Sequence, residues 1–197
     1  MTQSKSIQTC DVAVIGAGII GASIGYHLAE RGAKVTVIDS NSPGSGASSH
    51  SFAWINAGFK SPYSYHEFSR KSMNMWDHLA RKLDMEIGLR WGGKISWEST
   101  DYGAERLKHK ITQAKRWGYP SRLITKPELQ ELAPELSFGN VTAAEFTPVD
   151  GQVEPQLVIN ACLKRSKEYA ATLITNAEVV AYNDRQDGDK VTTLTTA

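Results

Sequence analysis

Hydrophobic and polar positions fall into blocks along this chain, and the period of the blocks changes. Asp11-Val12-Ala13-Val14-Ile15 is a short apolar, β-branched run stopped by Gly16, the pattern of a strand buried on both faces of a parallel sheet. Beyond a glycine cluster, Ile20, Ile24 and Leu28 recur every four residues and Arg31-Gly32 closes the stretch, which predicts one face of a helix with a glycine stop. Residues 34–39 return to strand character and complete a βαβ unit, with a parallel sheet and a right-handed crossover expected. Residues 40–51 are rich in Gly and Ser, too small and polar to pack a core, and predict a loop.

Phe68, Met75, Trp76, Leu79 and Leu83 then predict one helical face, residues 93–97 a strand, and Ala104, Leu107, Ile111 and Ala114 a second amphipathic helix. Thr125 and Glu128 have the spacing of a capping box with Pro127 in the first turn, so a short helix should start there and end before Pro134. Residues 143–147 predict a strand and Asp150-Gly151 a turn. Leu157, Val158, Ala161, Cys162 and Leu163 predict a helix, and residues 172–175, 178–183 and 190–196 predict three strands. The middle of the chain therefore leaves the βαβ pattern for a mixed α+β excursion, and the end returns toward it.

Composition narrows the function classes. Among 197 residues, 41% are hydrophobic and 22% charged, an ordinary globular balance able to bury a core. With 22 basic and 21 acidic side chains the net charge is +1, which supplies no electrostatic footprint for nucleic acid. Cys10 and Cys162 match no metal-ligand spacing and read as free thiols of a reducing compartment. The first ten residues are polar, and glycines break the apolar run that follows. Neither a signal peptide nor a membrane span is expected, and the chain is expected to be cytoplasmic.

Gly16-Ala17-Gly18-Ile19-Ile20-Gly21 is G-x-G-x-x-G. Its glycines allow, in order, the tight turn out of a strand, the approach of a pyrophosphate to the backbone, and the close packing of helix on strand. The helix start supplies N–H groups and a positive dipole for phosphates, with Ile19 and Ile20 at that start. Alone the hexapeptide is a weak signal. Here it follows a strand, opens a helix and precedes an acidic residue, Asp39, at the end of the next strand, eighteen positions after Gly21. Asp39, followed by Ser40, would accept ribose hydroxyls of an adenosine, and its charge disfavours a 2′-phosphate. These are the features of a Rossmann-type dinucleotide-binding unit. An NAD-binding half continues with further βα units, whereas this chain turns to a Gly/Ser loop and a long excursion, a topology that favours FAD.

Residues 12–39, the loop Gly44-Ser45-Gly46-Ala47-Ser48-Ser49 and the segment Ala53-Trp54-Ile55-Asn56-Ala57-Gly58 resemble the N-terminal part of the D-amino-acid oxidase / glycine–sarcosine oxidase family of FAD enzymes. Residues 90–95, 129–134 and 150–155 resemble that family's substrate-domain strand, its short Glu/Leu…Pro segment and the entry to the helix leading back to the FAD domain. The resemblance implies an α/β fold: an incomplete Rossmann-type FAD-binding βαβ domain (residues 1–60 and 155–197) with an inserted α+β part of a substrate domain (residues 61–154). It implies that Gly46, Ala47, Ser48 and Ser49 run along the pyrophosphate and ribityl part of FAD. Backbone at Ala53 and Trp54 would lie near the isoalloxazine ring, and Val179 where main-chain groups hold adenine.

The resemblance further implies oxidation of a small amine or amino acid, with hydride transfer to the flavin. The catalytic residues are left open, since Arg90 and Tyr65 have no spacing that makes them catalytic. The family's substrate-binding arginine and its closing strand would follow Ala197, so a complementing chain or self-association is expected. Two other readings stand beside this one: an NAD-dependent dehydrogenase module, and a non-catalytic nucleotide-binding subunit completed by a partner chain. His50 adjoins the loop, and the other histidines, the tryptophans and Met73 and Met75 read as packing residues.

Overall fold

A computed structural model of the chain describes residues 8–184 and 191–196. In chain order the first elements are β1 (Val12–Ile15), α1 (Ile19–Glu30), β2 (Val35–Ile38), a 3-10 turn (Ala47–His50), β3 (Trp54–Ile55), α2 (Tyr63–Leu83), β4 (Arg90–Trp91) and β5 (Lys94–Glu98). There follow α3 (Asp101–Arg116), β6 (Arg122–Ile124), α4 (Lys126–Leu132), β7 (Ala143–Thr147), β8 (Gly151–Gln152), α5 (Pro155–Glu168), β9 (Thr172–Ile174), β10 (Val179–Asp184) and β11 (Val191–Thr196). They form two compact units. One holds the described residues up to Phe52, Leu83–Ile87 and those from Glu154 onward; the other holds Ala53–Lys82 and Gly88–Val153.

The first unit is built on a parallel sheet in the order β1-β2-β9, with Val12 opposite Val35 and Thr36 opposite Thr172. Every residue of β2 is buried, as a central parallel strand requires. Helices α1 and α5 pack on one another. The buried face of α1 is Ala22, Gly25, Tyr26 and Ala29, not the Ile20/Ile24/Leu28 stripe expected from the sequence; Ile20 is 74% and Ile24 45% exposed. Small residues win this face because the helix lies hard against the sheet: a Cβ on Gly25 would stand 2.8 Å from Val37 Cγ2. Arg165 of α5 donates from Nε to the Leu83 carbonyl at 2.7 Å, and Glu154 N–H to Ile87 O at 3.0 Å, which ties Leu83–Ile87 into this unit. Of the three expected returning strands, only β9 joins the parallel sheet; β10 and β11 pair antiparallel as a hairpin of their own.

The second unit carries two antiparallel sheets, β3-β8-β4 and β5-β7-β6, with α3 packed on the latter. Ala104, Leu107 and Ile111 of α3 close over Ala143, the face expected from their spacing. A second cluster joins Ile124, Leu129, Phe138 and Ala144 beneath α4. The capping box forms as expected: Thr125 Oγ accepts from Glu128 N–H while the Glu128 carboxylate accepts from Thr125 N–H. In α2 the buried positions are His66, Ser69, Met73 and Leu83, whereas Phe68 and Met75 are 69% and 57% exposed. The expected face holds at Trp76 and Leu79, which are part-buried, and at Leu83; toward the helix start the inward positions are Met73, Ser69 and His66, the last with Nδ1 on Ala57 O, in place of Phe68 and Met75. None of the five tryptophans is fully buried, contrary to their reading as core bulk. Trp54 and Trp91 instead place indole N–H groups on Asp150 and Asp77, at 2.8 and 2.9 Å.

Candidate dinucleotide site

The glycine fingerprint forms the turn between β1 and α1. Gly16 has φ +98°, a left-handed conformation that an L side chain rarely adopts. A Cβ on Gly21 would lie 1.8 Å from the Gly16 carbonyl oxygen, so the helix sits directly against the turn and only glycine fits. Gly18 precedes the first helical residue in extended conformation; a Cβ there would stand 3.1 Å from Ser48 Oγ. That hydroxyl accepts from the Ile19 N–H at 3.0 Å, satisfying one of the amides a helix start leaves without an internal partner. Ser48 therefore reaches from the 3-10 turn to the place where the fingerprint points its amides.

Asp39 ends the next strand, half-buried. Its Oδ2 accepts from Ala17 N–H at 2.6 Å and its Oδ1 from Asn41 N–H at 2.8 Å. A carboxylate has about four acceptor positions, so two remain for hydroxyl groups of a ligand. Ala17, fully buried, is the hinge of the arrangement: its N–H goes to Asp39 and its carbonyl accepts from Gly44 N–H at 3.1 Å, joining acid, turn and loop. Gly44 is buried with φ +81°, and a Cβ there would stand 2.5 Å from Gln156 Oε1 and 2.9 Å from Ile159 Cδ1. Above Gly16 and Gly46, by contrast, a Cβ would meet nothing within 4 Å. The protein packs its glycines from below and leaves space above two of them, beside amides and an acidic acceptor. These residues fit the dinucleotide of FAD.

The expected site residues of the first unit thus converge in part. Gly16, Gly18, Ile19, Gly21, Asp39 and Ser48 are joined directly or through Ala17. Ile20 is exposed at the helix start, and Ser40 is exposed and accepts from Asn41 Nδ2 at 3.1 Å. Gly46, Ala47 and Ser49 are exposed on the 3-10 turn, where Ser49 Oγ donates back to Gly46 O at 2.8 Å. Val179 begins β10, two residues beyond Ala177, whose N–H donates to Asp39 O at 3.0 Å. Asn41 and Gln156 carry no signal in the sequence, and Ala17 and Gly44 stand there within the fingerprint and the family-like loop without being expected as site residues.

Ala53 and Trp54 belong to the second unit, where Ala53 precedes β3 and Trp54 opens it. Ala53 has φ +57° and Phe59 φ +58°, so two non-glycine residues in left-handed conformation bracket one short segment. Trp54 Nε1 donates to Asp150 Oδ2; Asp150 Oδ1 accepts from the Tyr119 hydroxyl; that hydroxyl oxygen accepts from Ala57 N–H at 3.0 Å. His66 Nδ1 lies 2.8 Å from Ala57 O, and because a carbonyl only accepts, Nδ1 carries the proton. Burial above all, with the hydrogen bond to Asp150, holds the Tyr119 hydroxyl far above its ordinary range, so it is the donor of that pair. Burial likewise pushes the Asp150 carboxyl upward, against the hydrogen bonds from Tyr119 and Trp54. Beside this group, Glu145 is fully buried and binds Lys94 Nζ, Ser96 and Ser121; burial pushes its carboxyl up, but those donors prevail and hold it below the usual range. In the sequence Asp150 stands out as a turn former and as the start of the segment 150–155 that resembles the family, while Tyr119 and Glu145 do not stand out. Among the described residues no group of three or more His, Cys, Asp or Glu side chains could hold a metal.

Comparison with known proteins agrees with this geometry. The sequence model of the DAO family, described as FAD dependent oxidoreductase, matches residues 11–197. The chain is 31% identical over 175 residues to a glycine oxidase of Geobacillus kaustophilus, covering 86% of this chain and 46% of that protein. It is 25% identical over 179 residues to mitochondrial dimethylglycine dehydrogenase of Mus musculus, covering 90% of this chain and 20% of that protein. The crystal structure of the Geobacillus kaustophilus glycine oxidase superposes with a TM-score of 0.85 at 28% identity, over 95% of this chain and 53% of that one. The chain thus spans from a fifth to about half of these relatives.

Proposed function

This chain belongs to the DAO family of FAD-dependent oxidoreductases, and from that premise we propose that it is the FAD-binding portion of an oxidoreductase acting on CH–NH or CH–NH2 groups of a small amine or amino acid. The observation that carries the reading is the cradle of Gly16, Gly18 and Gly21 with Asp39 bound to Ala17. Gly16, Gly18, Ile19, Ile20, Gly21 and Ser48 hold the pyrophosphate; Asp39 and Ser40 hold the adenosine ribose, and backbone at Val179 the adenine. Gly46, Ala47 and Ser49 line the ribityl part, and Ala53 and Trp54 lie along the isoalloxazine ring. When bound, FAD supplies the acceptor for a hydride from the carbon beside the substrate nitrogen, and the imine product hydrolyses. The relatives named above act on glycine and dimethylglycine, which supports a small amino acid or N-methylated amine as substrate.

The first unit supplies the FAD-binding portion and the second part of the substrate domain. Two further features support a partner and a compartment. The β1 edge of the parallel sheet has no further strand among the described residues, and Ile15, Ile20 and Ile24 are exposed on β1 and α1. Such an edge suits a complementing chain or a second copy. Cys10 and Cys162 are free thiols, and among the described residues no helix is long and apolar enough to cross a membrane, which supports a cytoplasmic location. The test is the visible absorption spectrum of the purified chain supplied with FAD, followed by anaerobic addition of glycine, sarcosine, dimethylglycine and proline. Bound flavin that bleaches with one of them is expected when the complementing half is present. A protein that binds NADH and ignores FAD would sink the proposal.

A further inference from the structure

A buried carboxylate is a poor way to stabilise a core, since its desolvation offsets most of what its hydrogen bonds return. It is a good way to fix two donors from distant parts of a chain at one angle. Asp150, 1% exposed between β7 and β8, holds the Trp54 indole with one oxygen and the Tyr119 hydroxyl with the other. Both of its hydrogen-bond donors are neutral side chains, so these two bonds fix the orientation of groups and form no ion pair. Tyr119, 2% exposed, passes the constraint on by accepting from Ala57 N–H, and His66 holds the carbonyl of the same residue. The segment between Ala53 and Phe59 is therefore gripped at Trp54 through its side chain and at Ala57 through both backbone groups. Trp54 and Ile55 are in addition paired with Gln152 and Gly151.

This grip coincides with unusual backbone. Ala53 and Phe59 at its two ends have positive φ, rare for alanine and rarer for an aromatic residue, and such conformations persist where surrounding contacts over-determine them. Phe59 is held in turn beneath two ammonium groups, Lys94 Nζ and Lys110 Nζ, each 4.9 Å from its ring centre. A loop needed only as a connection has no use for this many restraints.

We propose that Asp150 is a positioning residue: through Trp54 directly, and through Tyr119 to Ala57, it sets the backbone of residues 53–59 in the one geometry that faces the flavin ring. The proposal rests on the reading above that Ala53 and Trp54 lie along that ring. It is tested on the full chain loaded with FAD, using Asp150→Asn, which keeps one acceptor oxygen and loses the other, Tyr119→Phe, which removes only the hydroxyl, and Trp54→Phe. The readouts are the visible flavin band and the reduction potential of the bound flavin, with the urea midpoint followed in parallel. All three variants are expected to retain FAD and to shift both band and potential, because the nucleotide end is held elsewhere. A merely structural role would lower the midpoint and leave the flavin signals of the folded protein unmoved.

If Trp54→Phe shifts the signals while Asp150→Asn and Tyr119→Phe leave them at parent values, the positioning role is overturned and the ring placement stands. If Trp54→Phe leaves them unmoved, the ring placement itself fails and the positioning role with it. Should Asp150→Asn not fold, Tyr119→Phe decides alone, since it preserves the packed ring.

Discussion

The glycine turn of the first unit and the Asp150 and Glu145 group of the second are both dense in hydrogen bonds, yet they are assembled over different distances along the chain. In the turn, Ala17 meets Asp39 across 22 residues and Ile19 meets Ser48 across 29. In the second unit, Ser121 meets Glu145 across 24 and Tyr119 meets Asp150 across 31, but the group also draws in Trp54 across 96, Ala57 to Tyr119 across 62 and Lys94 across 51. The turn is shaped by the absence of side chains and by its amides, so it can be open and half-exposed. The buried group works through side-chain charge and must be closed, with each polar atom satisfied; among the described residues no buried side-chain polar atom lacks a partner. The contrast separates two kinds of fragility, steric in the first unit and electrostatic in the second.

The largest effect is expected in the second. Glu145→Ala leaves Lys94, whose side chain is 17% exposed, without its carboxylate, and breaking a buried pair in this way costs about 3–5 kcal/mol. The urea midpoint should fall accordingly, and Lys94→Met/Glu145→Met together should recover most of the loss. The pH dependence has a defined sign. Because the folded state holds Glu145 below its ordinary 4.5, its contribution is complete above pH 4.5 and is lost as pH falls through the lowered folded value. Acid titration of the parent should show that loss below pH 4.5, and Glu145→Ala should lack it. An unchanged acid limb would show that the pair contributes nothing.

In the first unit the sharpest test sets two glycines against each other. Gly21→Ala drives a Cβ toward a backbone oxygen that cannot move aside, and overpacking of this kind costs about 1–3 kcal/mol. Gly46→Ala meets open space and should leave the urea midpoint within about 0.5 kcal/mol, as surface changes do. If FAD occupies that space, Gly46→Ala should still weaken FAD binding about tenfold, a loss of about 1.4 kcal/mol. Equal FAD affinity in parent and Gly46→Ala would move the cofactor away from the 3-10 turn.

Asp39 should come next. Asp39→Ala removes the acceptor for Ala17 N–H and for the ribose, a loss of about 1–3 kcal/mol in FAD binding by titration calorimetry. Asp39→Asn keeps one acceptor oxygen, should lose less, and should relax the rejection of a 2′-phosphate. Should the parent bind adenosine 2′,5′-bisphosphate as tightly as AMP, the role of Asp39 is mistaken.

The same contrast explains what the sequence discloses. The βαβ unit was legible because its signals are short-range: a strand period, three glycines with separate steric tasks, and an acid at the next strand end. The α3 face and the α4 cap were legible for the same reason. The face of α1 was misjudged where a periodic apolar count competed with a tertiary demand, small residues against the sheet; that of α2 was legible at Trp76, Leu79 and Leu83 but not at Phe68 and Met75, where His66, Ser69 and Met73 turn inward instead. The β10–β11 hairpin read as further returning strands because strand propensity does not specify a partner. Tyr119 and Glu145 carry no local pattern, and Asp150 only that of a turn at the start of residues 150–155. They acquire meaning only when the fold closes, and single aromatic or acidic residues in a sequence of ordinary composition do not stand out.

The smallest effect belongs to the feature the sequence displays most openly. The capping box of α4 is complete, with Arg122 Nη1 also on Glu128 Oε1 at 2.9 Å, and the Thr125 backbone first, then Arg122, holds the Glu128 carboxyl below its usual range. The residues are exposed and the helix has only seven residues, so the cap acts on local order. Thr125→Ala removes the hydroxyl that accepts from Glu128 N–H and should cost about 1 kcal/mol, near the middle of the range for such caps. Leu129, fully buried in the cluster with Ile124, Phe138 and Ala144, should keep the helix docked. Amide hydrogen exchange at Lys126, Glu128 and Leu129 should therefore accelerate, and the urea midpoint should fall by no more than that amount. A loss as large as that of Glu145→Ala would mean that α4 is held by its cap instead of by Leu129, and that the separation drawn between local and buried interactions fails where both occur within one helix.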